Sequence, residues 1–314
     1  MNREGYIKYL ENKGRSAEYI ICCTRAVELF FKQVKKEDIQ VTKPDILKFL
    51  EYLKNNRGLQ NTSRYHYLIS LNHYFAFLYQ EKIIAKNPCL LLKIRGIKRK
   101  TLYKIYTPEE LEQLFDNYYQ YYVRNYDDTH TAVNYKKQAR LGRERNAMIL
   151  SVLVHQGVTT GEIKRIEIDD IDLLKATIKI RGQRHSNERT LPLKASQIGL
   201  LMHYLRNIRP QLLEYYTTES NKLFFPLYGS NTYTDNENID NVVAVITHQI
   251  KTIDKQFLNF KQLRASVITF WLKTNGLRKT QYMIGHRYTS STENYLPNDL
   301  DDLTDDINKL HPFL

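Results

Sequence analysis

Residues 261–273 read KQLRASVITFWLK, and residues 281–296 read QYMIGHRYTSSTENYL. In these two stretches His286 follows Arg264 by 22 residues, and Tyr295 follows His286 by nine. Arginine is a permanent cation with a planar fork of donors, histidine titrates near neutral pH, and a tyrosine oxygen can act as a nucleophile. None of these residues alone indicates a particular class of protein, but the ordered set at these intervals does.

The ordered set resembles the C-terminal signature of the tyrosine recombinases, also called phage-type integrases. The resemblance implies a mainly α fold with a small antiparallel β-sheet. It divides the chain into an N-terminal helical core-binding domain (residues 1–95), a basic linker (residues 96–106) and an α+β tyrosine-recombinase catalytic domain (residues 107–314). In this family the two domains form a C-shaped clamp, which implies double-stranded DNA as the partner.

Length and charge narrow the class of protein. The chain has 314 residues, enough for two domains with separate cores. Its net charge of +13 and pI of about 9.4 favour a polyanionic partner, because Lys and Arg displace the counterions of nucleic acids. The polar N-terminus argues against a signal peptide, and no apolar run approaches the roughly 18 residues of a transmembrane helix. We therefore expect a cytoplasmic protein without a membrane partner.

The three cysteines, Cys22, Cys23 and Cys89, form no C-x-x-C pair. Structural zinc is therefore not expected, and reduced thiols on apolar helix faces are the simplest interpretation.

Apolar spacing predicts helices only in the first 95 residues. Residues 17–34 place apolar side chains at intervals of three and four, which is typical of an amphipathic helix. Thr42 and Asp45 predict a capping box that opens the next helix. Asn61 or Thr62 is expected to cap a third helix that runs to about residue 80.

The second half of the chain predicts the only β-structure. Residues 145–155 read as a buried helix. Alternating patterns then predict strands at residues 167–172, 177–181 and 188–193. The last two strands would flank a hairpin tip with the sequence GQRHSN, residues 182–187.

The resemblance implies a role for each residue of the signature. Tyr295 would attack a DNA phosphodiester, forming a 3′-phosphotyrosyl bond and releasing a 5′-hydroxyl. Arg264 would bind the non-bridging phosphate oxygens, where a planar cation matches the charge of the transition state. His286 would hydrogen-bond the phosphate or accept the tyrosine proton. Because the bond energy is conserved in the protein–DNA bond, neither ATP nor a metal cofactor is required.

Three positions depart from the family pattern. Thr159, in the segment GVTTGEI, stands where the family has an arginine. Arg184 or Gln183 stands where the family has the hairpin lysine that protonates the leaving oxygen, and Lys261 replaces a histidine of the H-x-x-R motif. The loss of one preorganised cationic donor costs roughly 3–4 kcal/mol of transition-state stabilisation unless it is replaced.

These departures have two explanations. The chain has either lost catalysis and kept DNA binding, or moved the missing positive charge to Arg181, Arg184, His185 or Lys261. We favour the second, because the tyrosine, the histidine and one arginine remain. The candidate catalytic residues are therefore Tyr295, Arg264, His286, Lys261, Arg184 and Arg181.

Further positive charge lies in the linker, where residues 93–107 read KIRGIKRKTLYKIYT. Lys98, Arg99 and Lys100, together with His185 at the hairpin tip, are candidate DNA-binding residues. The linker charges fit a cationic connector between two DNA-binding domains and a solvated charge run equally well. The family's assembly implies four protomers on two DNA sites, with accessory DNA-bending factors as additional partners.

Narrower and rival interpretations remain. The absent arginine and the tail at residues 309–314 resemble the divergent integrases of Bacteroidetes mobile elements. The apolar tail would dock either into a neighbouring protomer or onto its own chain. A non-catalytic DNA-binding relative of the same fold is the main rival, and a helical RNA-binding module, suggested by charge alone, is weaker.

Overall fold

The computed structural model describes residues 2–97, 103–183, 186–215, 220–226 and 239–296. The chain divides into two compact units, Met1–Thr101 and Leu102–Leu314. The division lies within the predicted linker. The candidate DNA-binding residues Lys98, Arg99 and Lys100 lie outside the described residues, as does the C-terminal tail.

Every regular element among the described residues of the first unit is a helix. Its helices are α1 (Arg3–Asn12), α2 (Ala17–Val34), α3 (Lys43–Asn55) and α4 (Asn61–Gln80), with a 3₁₀ turn at Asp38–Gln40. Its core is built from aromatic and aliphatic side chains that include Tyr6, Phe30, Phe49, Tyr74 and Phe75.

The start of α3 confirms the predicted capping box. The Asp45 carboxylate accepts hydrogen bonds from the backbone N–H of Thr42 at 2.9 Å and from its hydroxyl at 2.8 Å. These bonds occupy donors at the helix start that have no partner within the helix.

The predicted cap of α4 is wrong. Asn61 is the first residue of that helix, and Gln60 takes the N-cap position. The Asn61 side chain has other partners: its Oδ1 accepts a bond from Arg64 Nη1 at 3.0 Å, and its Nδ2 donates to the Arg95 carbonyl at 2.9 Å. The asparagine thus joins the end of the unit to α4 and does not cap the helix.

The second unit combines helices with one small sheet. Its described elements are α5 (Pro108–Tyr119), α6 (Val133–Gln156), α7 (Thr160–Ile163), β1 (Ile171–Asp172), β2 (Thr177–Ile180), β3 (Arg189–Pro192), α8 (Ala195–His203), α9 (Arg209–Leu213), α10 (Asp240–Ile253), α11 (Phe260–Ile284) and α12 (Thr289–Glu293). Single π-helical turns extend α5 and join α8 to α9. The order confirms the predicted mainly α fold with a small antiparallel sheet.

The sheet has the antiparallel order β1-β2-β3, with Ile178 opposite Leu191 and Ile180 opposite Arg189. The predicted first strand was too long, because residues 168–170 form a 3₁₀ turn. In that turn the Asp170 carboxylate accepts a bond from the Glu167 N–H at 2.8 Å. The other two predicted strands agree with β2 and β3 to within one residue at each end.

The long helix α6 is central to the second core. Its residues 145–154 are buried on every face, which confirms the predicted buried helix as the end of a longer one. The helix stops at Gly157, which adopts a left-handed φ of 55°. A side chain there would lie 2.9 Å from Val267 of α11, so only glycine lets the two helices approach at this point. Among the described residues, no helix is both long and apolar enough to cross a membrane.

Candidate active site

Arg264 lies where α11 packs against the end of α6. The Asn259 side chain caps α11 by accepting bonds from two N–H groups of its first turn, of Lys261 at 3.0 Å and of Gln262 at 3.3 Å. Arg264 follows in the second turn and is only 9% exposed. Its Nη1 donates to the Gly157 carbonyl and lies 3.5 Å from the Glu162 carboxylate. The end of α6 therefore fixes one edge of this guanidinium.

Thr159 is the N-cap of the short helix α7. The backbone N–H and hydroxyl of Thr159 donate to Glu162 Oε2 at 2.8 and 3.0 Å, and the Thr159 hydroxyl accepts the Glu162 N–H at 3.1 Å. The pattern is a capping box for the short helix α7. The single hydroxyl proton that Thr159 could offer to a phosphate is thus already donated to Glu162.

Arg189, at the start of β3, is a site residue that the sequence analysis missed. Its side chain is completely buried, and its Nη1 forms a 2.7 Å ion pair with Glu162 Oε1. Its Nε and Nη2 have no hydrogen-bond partner in the part of the chain that the structure describes. The signal was present in the strand pattern, because alternation places Arg189 on the same inward face as Leu191.

Glu162 therefore lies between two guanidinium groups. Burial alone would raise the pKa of its carboxyl, but the ion pair with Arg189 and the charge of Arg264 hold that pKa below its ordinary value. The carboxylate is charged at neutral pH, and it fixes the positions of both arginines. We call Arg189, Glu162 and Arg264 the charge triplet.

The turn that carries His286 is bonded to the end of the β2–β3 hairpin. Gly285 is the C-cap of α11 and has a left-handed φ of 77°. Its carbonyl accepts the Asn187 N–H at 2.7 Å, and Ser186 forms an isolated β-bridge with His286. A methyl group at position 285 would lie 2.7 Å from both Arg189 Nη1 and the Asn187 carbonyl. This glycine allows the turn to lie directly on the charge triplet.

His286 and Tyr295 form the other half of the site. Their rings stack with centroids 5.9 Å apart and an interplanar angle of 22°. His286 Nδ1 is 3.0 Å from the hydroxyl of Thr292, a buried residue of α12. The Tyr295 N–H donates to the Thr292 carbonyl at 3.0 Å, so the same residue positions both rings.

Electrostatics keep the imidazole neutral. Burial, reinforced by the positive charges of Arg264 and Arg189, lowers the pKa of His286 to about 4. The pKa of Arg264 is also lowered by burial, against the opposing effects of Glu162 and of the Tyr295 side chain, which interacts with the guanidinium. Tyr295, His286 and Arg264 are thus brought together, as the spacing of the signature predicts.

The other predicted site residues lie elsewhere or outside the described residues. Arg181 is held by two carboxylates, at 2.7 Å from Glu167 and 3.0 Å from Asp170, and its described ion pairs do not include the charge triplet. Lys261 is exposed in the first turn of α11, three residues before Arg264. Arg184 and His185, at the hairpin tip, lie outside the described residues.

The sequence matches the phage integrase family over residues 124–301, more than half of the chain. The chain therefore belongs to the phage integrase family of tyrosine recombinases, site-specific enzymes that cleave and rejoin DNA. The match includes the charge triplet as well as His286 and Tyr295.

Comparison with individual proteins gives the same class. The chain is 27% identical to tyrosine recombinase XerC of Anoxybacillus flavithermus, covering 92% of this chain and 90% of that protein. It is 25% identical to tyrosine recombinase XerD of Staphylococcus saprophyticus, covering 98% of each.

Two solved structures have the same fold at low identity. The XerH recombinase in a post-cleavage complex with a palindromic difH substrate has a TM-score of 0.64 and 19% identity, covering 92% of this chain and 80% of that one. The Tn1549 transposon integrase with transposon right-end DNA has a TM-score of 0.60 and 14% identity, covering 98% of each.

Proposed function

We propose that this recombinase uses Tyr295 as its nucleophile. Attack of the phenolic oxygen on a phosphodiester would form a phosphorus–oxygen bond to Tyr295 and break the bond to the 5′-oxygen. The phenolic proton passes to solvent water, and a general acid protonates the departing 5′-oxygen. Religation reverses these steps with the 5′-hydroxyl of a second strand. The observation that carries the proposal is the joint placement of Tyr295, His286 and Arg264 beside one another.

We assign phosphate binding to Arg264. Its Nη1 is occupied by Gly157 and Glu162, and the guanidinium also interacts with Tyr295, so the donors that remain on the planar fork are assigned to the non-bridging oxygens. A guanidinium held on one edge is preorganised, so little reorganisation is needed as charge develops in the transition state.

His286 fits the role of hydrogen-bond donor better than that of general base. Its pKa of about 4 is about six units below that of an unperturbed phenol, so it is a weak acceptor for a tyrosine proton. If the Thr292 hydroxyl donates to Nδ1, the remaining ring proton lies on Nε2 and is available to the phosphate.

Charge from outside the charge triplet would complete the site. Lys261 is exposed near the start of α11 and is a candidate proton donor for the leaving oxygen. Arg184 and Arg181 remain alternative sources of charge near the hairpin. Lys98, Arg99, Lys100 and His185 are proposed to contact the DNA backbone.

The family's assembly supplies the remaining proposals. Residues 1–95 would act as the core-binding domain, residues 96–106 as a basic connector and residues 107–314 as the catalytic domain. Four protomers would act on two duplex sites with accessory DNA-bending factors, in the cytoplasm. Thr159 in place of an arginine supports an origin in the divergent integrases of Bacteroidetes mobile elements. A mobile element around the gene would be the observation to seek.

Covalent capture tests the proposed chemistry. Nicked duplexes tiled from the DNA flanking the gene are incubated with the wild type and with Tyr295→Phe, and adducts that resist SDS are resolved on denaturing gels. Tyr282→Phe and Tyr288→Phe are matched controls, since both residues are near His286 and about two-thirds exposed. We expect these two variants to retain the adduct and Tyr295→Phe to lose it.

The same experiment distinguishes the rival function, which is DNA binding without cleavage. Thr159 donates its hydroxyl to Glu162, which supports a relative that binds DNA without cleaving it. Such a protein would give salt-sensitive gel shifts with every duplex and no adduct. Preferential displacement by RNA competitor would instead favour the RNA-binding alternative.

A further inference from the structure

The start of the second unit is hydrogen-bonded to α11. Residues 104–106, which we call the strap, precede α5 and have no regular structure. The Gln262 Nε2 donates to the Lys104 carbonyl at 3.0 Å, and the Tyr106 N–H donates to Ser266 Oγ at 2.9 Å. The strap is therefore bonded to α11 at two points that lie one helical turn apart.

These bonds are buried and belong to a larger polar network. Gln262 and Ser266 are both completely buried. The Gln262 Nε2 also donates to the Gln256 carbonyl at 3.3 Å, and its Oε1 accepts the Leu258 N–H at 2.7 Å. Ser266 Oγ donates to the Gln262 carbonyl at 3.0 Å. Apolar packing alone would let the strap slide along α11, whereas these directional bonds allow one register.

Arg264 lies on the opposite face of the same turns. Gln262 and Ser266 are four residues apart and therefore share one face of α11. Arg264 is midway between them in sequence, which places it about 200° around the helix from each. From there its Nη1 donates to the Gly157 carbonyl at the end of α6. The strap contacts α11 on one side and the end of α6 contacts it on the other, at the level of this arginine.

The basic linker enters the second unit through the strap. Lys98, Arg99 and Lys100 lie outside the described residues and precede Lys104 by four to six positions. By chain length alone, the nearest of them is at most about 14 Å of extended backbone from Lys104. These three residues are proposed to contact the DNA backbone. A restraint placed on them by DNA would be passed along the chain to the strap and from there to α11.

Resting on the proposed function, we infer that Gln262 and Ser266 are positioning residues that couple DNA binding by the linker to the placement of Arg264. With DNA on the linker, the strap is held and fixes the first turns of α11 against the end of α6. Without it, Arg264 is less well placed for the phosphate. Because both residues are completely buried, neither touches the DNA.

A double-mutant cycle tests the coupling. The linker variant combines Lys98→Ala, Arg99→Ala and Lys100→Ala, and the strap variant is Ser266→Ala. At saturating nicked duplex, each should lower the single-turnover rate of the Tyr295 adduct by about tenfold, because small misplacements of catalytic groups are costly. The combined variant should be no more than about twofold slower than either one, since both break the same connection.

Two outcomes of the cycle would overturn the inference. A combined loss of about 100-fold would show that the linker and the strap act independently. A linker variant that weakens binding but keeps the wild-type rate at saturation would show that the linker supplies affinity only.

Ser151→Ala is the matched control for Ser266→Ala. Ser151 is also completely buried, and its Oγ accepts a bond from Gln197 Nε2 at 3.2 Å. This variant loses a buried hydroxyl of the second unit away from the strap, so it should keep the adduct rate when folded and leave the effect of the linker variant unchanged. Gln262→Met removes the bond to Lys104 by a second route and should give the same pattern as Ser266→Ala.

Hydrogen exchange separates failure of this inference from failure of the proposed function. The Tyr106 N–H donates to Ser266, so its exchange rate reports on the strap. Nicked duplex should slow this exchange at least about fivefold in the wild type and in Tyr295→Phe, and should leave it unchanged in the linker variant. If the wild type forms no adduct, the proposed function fails, but this exchange rate still decides whether DNA binding reaches the strap. A rate that bound duplex leaves unchanged would refute the coupling even where the adduct forms.

Discussion

Gly285→Ala should damage the site more than its small size suggests. The residue has a left-handed φ of 77°, and its new methyl group would lie 2.7 Å from Arg189 Nη1 and from the Asn187 carbonyl. The left-handed conformation costs about 1–2 kcal/mol for a residue with a Cβ. Overpacking against a fixed backbone atom adds about 1–3 kcal/mol. We therefore expect a loss of roughly 2–5 kcal/mol in unfolding free energy.

The assay uses the only tryptophan, Trp271, which lies in α11 and reports on the second unit. Urea unfolding followed by its fluorescence gives the stability, and the Tyr295 adduct rate gives the activity. Gly276→Ala is the control for backbone strain without a close contact, because Gly276 interrupts α11 with a φ of 72° and a ψ of 172° and would have no atom within 4 Å of a new methyl group. Its backbone cost is not smaller than that at position 285, and the variant should keep its activity when folded.

Two outcomes would refute the role of the contact between the Gly285 turn and Arg189. If folded Gly285→Ala retains the adduct rate, as Gly276→Ala is expected to, the close contact between the turn and Arg189 does not position the site. If both variants lose activity equally, the effect belongs to α11 as a whole and not to the contact at position 285.

Three further outcomes are expected. Thr292→Val keeps the shape of the side chain but removes its bond to His286. The single-turnover adduct rate should fall roughly tenfold, with a loss of only about 1 kcal/mol in unfolding free energy. Thr292→Ser should retain most of the rate. Glu162→Gln leaves two buried guanidinium groups without a carboxylate, and urea unfolding should show a loss of about 3–5 kcal/mol, far more than Glu167→Gln at the surface. Burial lowers the pKa values of His155 and His286 to about 4, below the value near 6.5 of an unfolded chain. The unfolded state therefore binds more protons, and the free energy of unfolding decreases as the pH drops from about 6.5 towards 4. Thermal melting between pH 7 and 4.5 should show this fall, and His286→Gln should reduce it; an unchanged slope would refute the assignment.

The core of the site was accessible from the sequence because three residues occur at fixed intervals in a short segment. Tyr295, His286 and Arg264 all lie on α11 or shortly after it, so one short segment of the sequence carries all three. Local rules also predicted the capping box at Thr42, since its partner Asp45 is three residues away.

Arg189 was missed for a physical reason. Its partner Glu162 is 27 residues away in sequence, and the ion pair forms only after β3 has folded against α7. The inward position of Arg189 could be predicted from alternation, but the identity of its partner could not. The predicted replacements for the missing charge did not include Arg189, the buried arginine beside Glu162 at the start of β3.

The bonds between the hairpin end and the Gly285 turn join segments about 100 residues apart, from Ser186–Asn187 to Gly285–His286. Such long-range closure cannot occur before the later segment has been synthesised. A growing chain can form β3, α7 and their ion pair while it still lacks both the imidazole and the phenol. During translation the Glu162–Arg189 pair can therefore form before Arg264, His286 and Tyr295 have been made, so the net positive charge of the site and its nucleophile both arrive with the later segment.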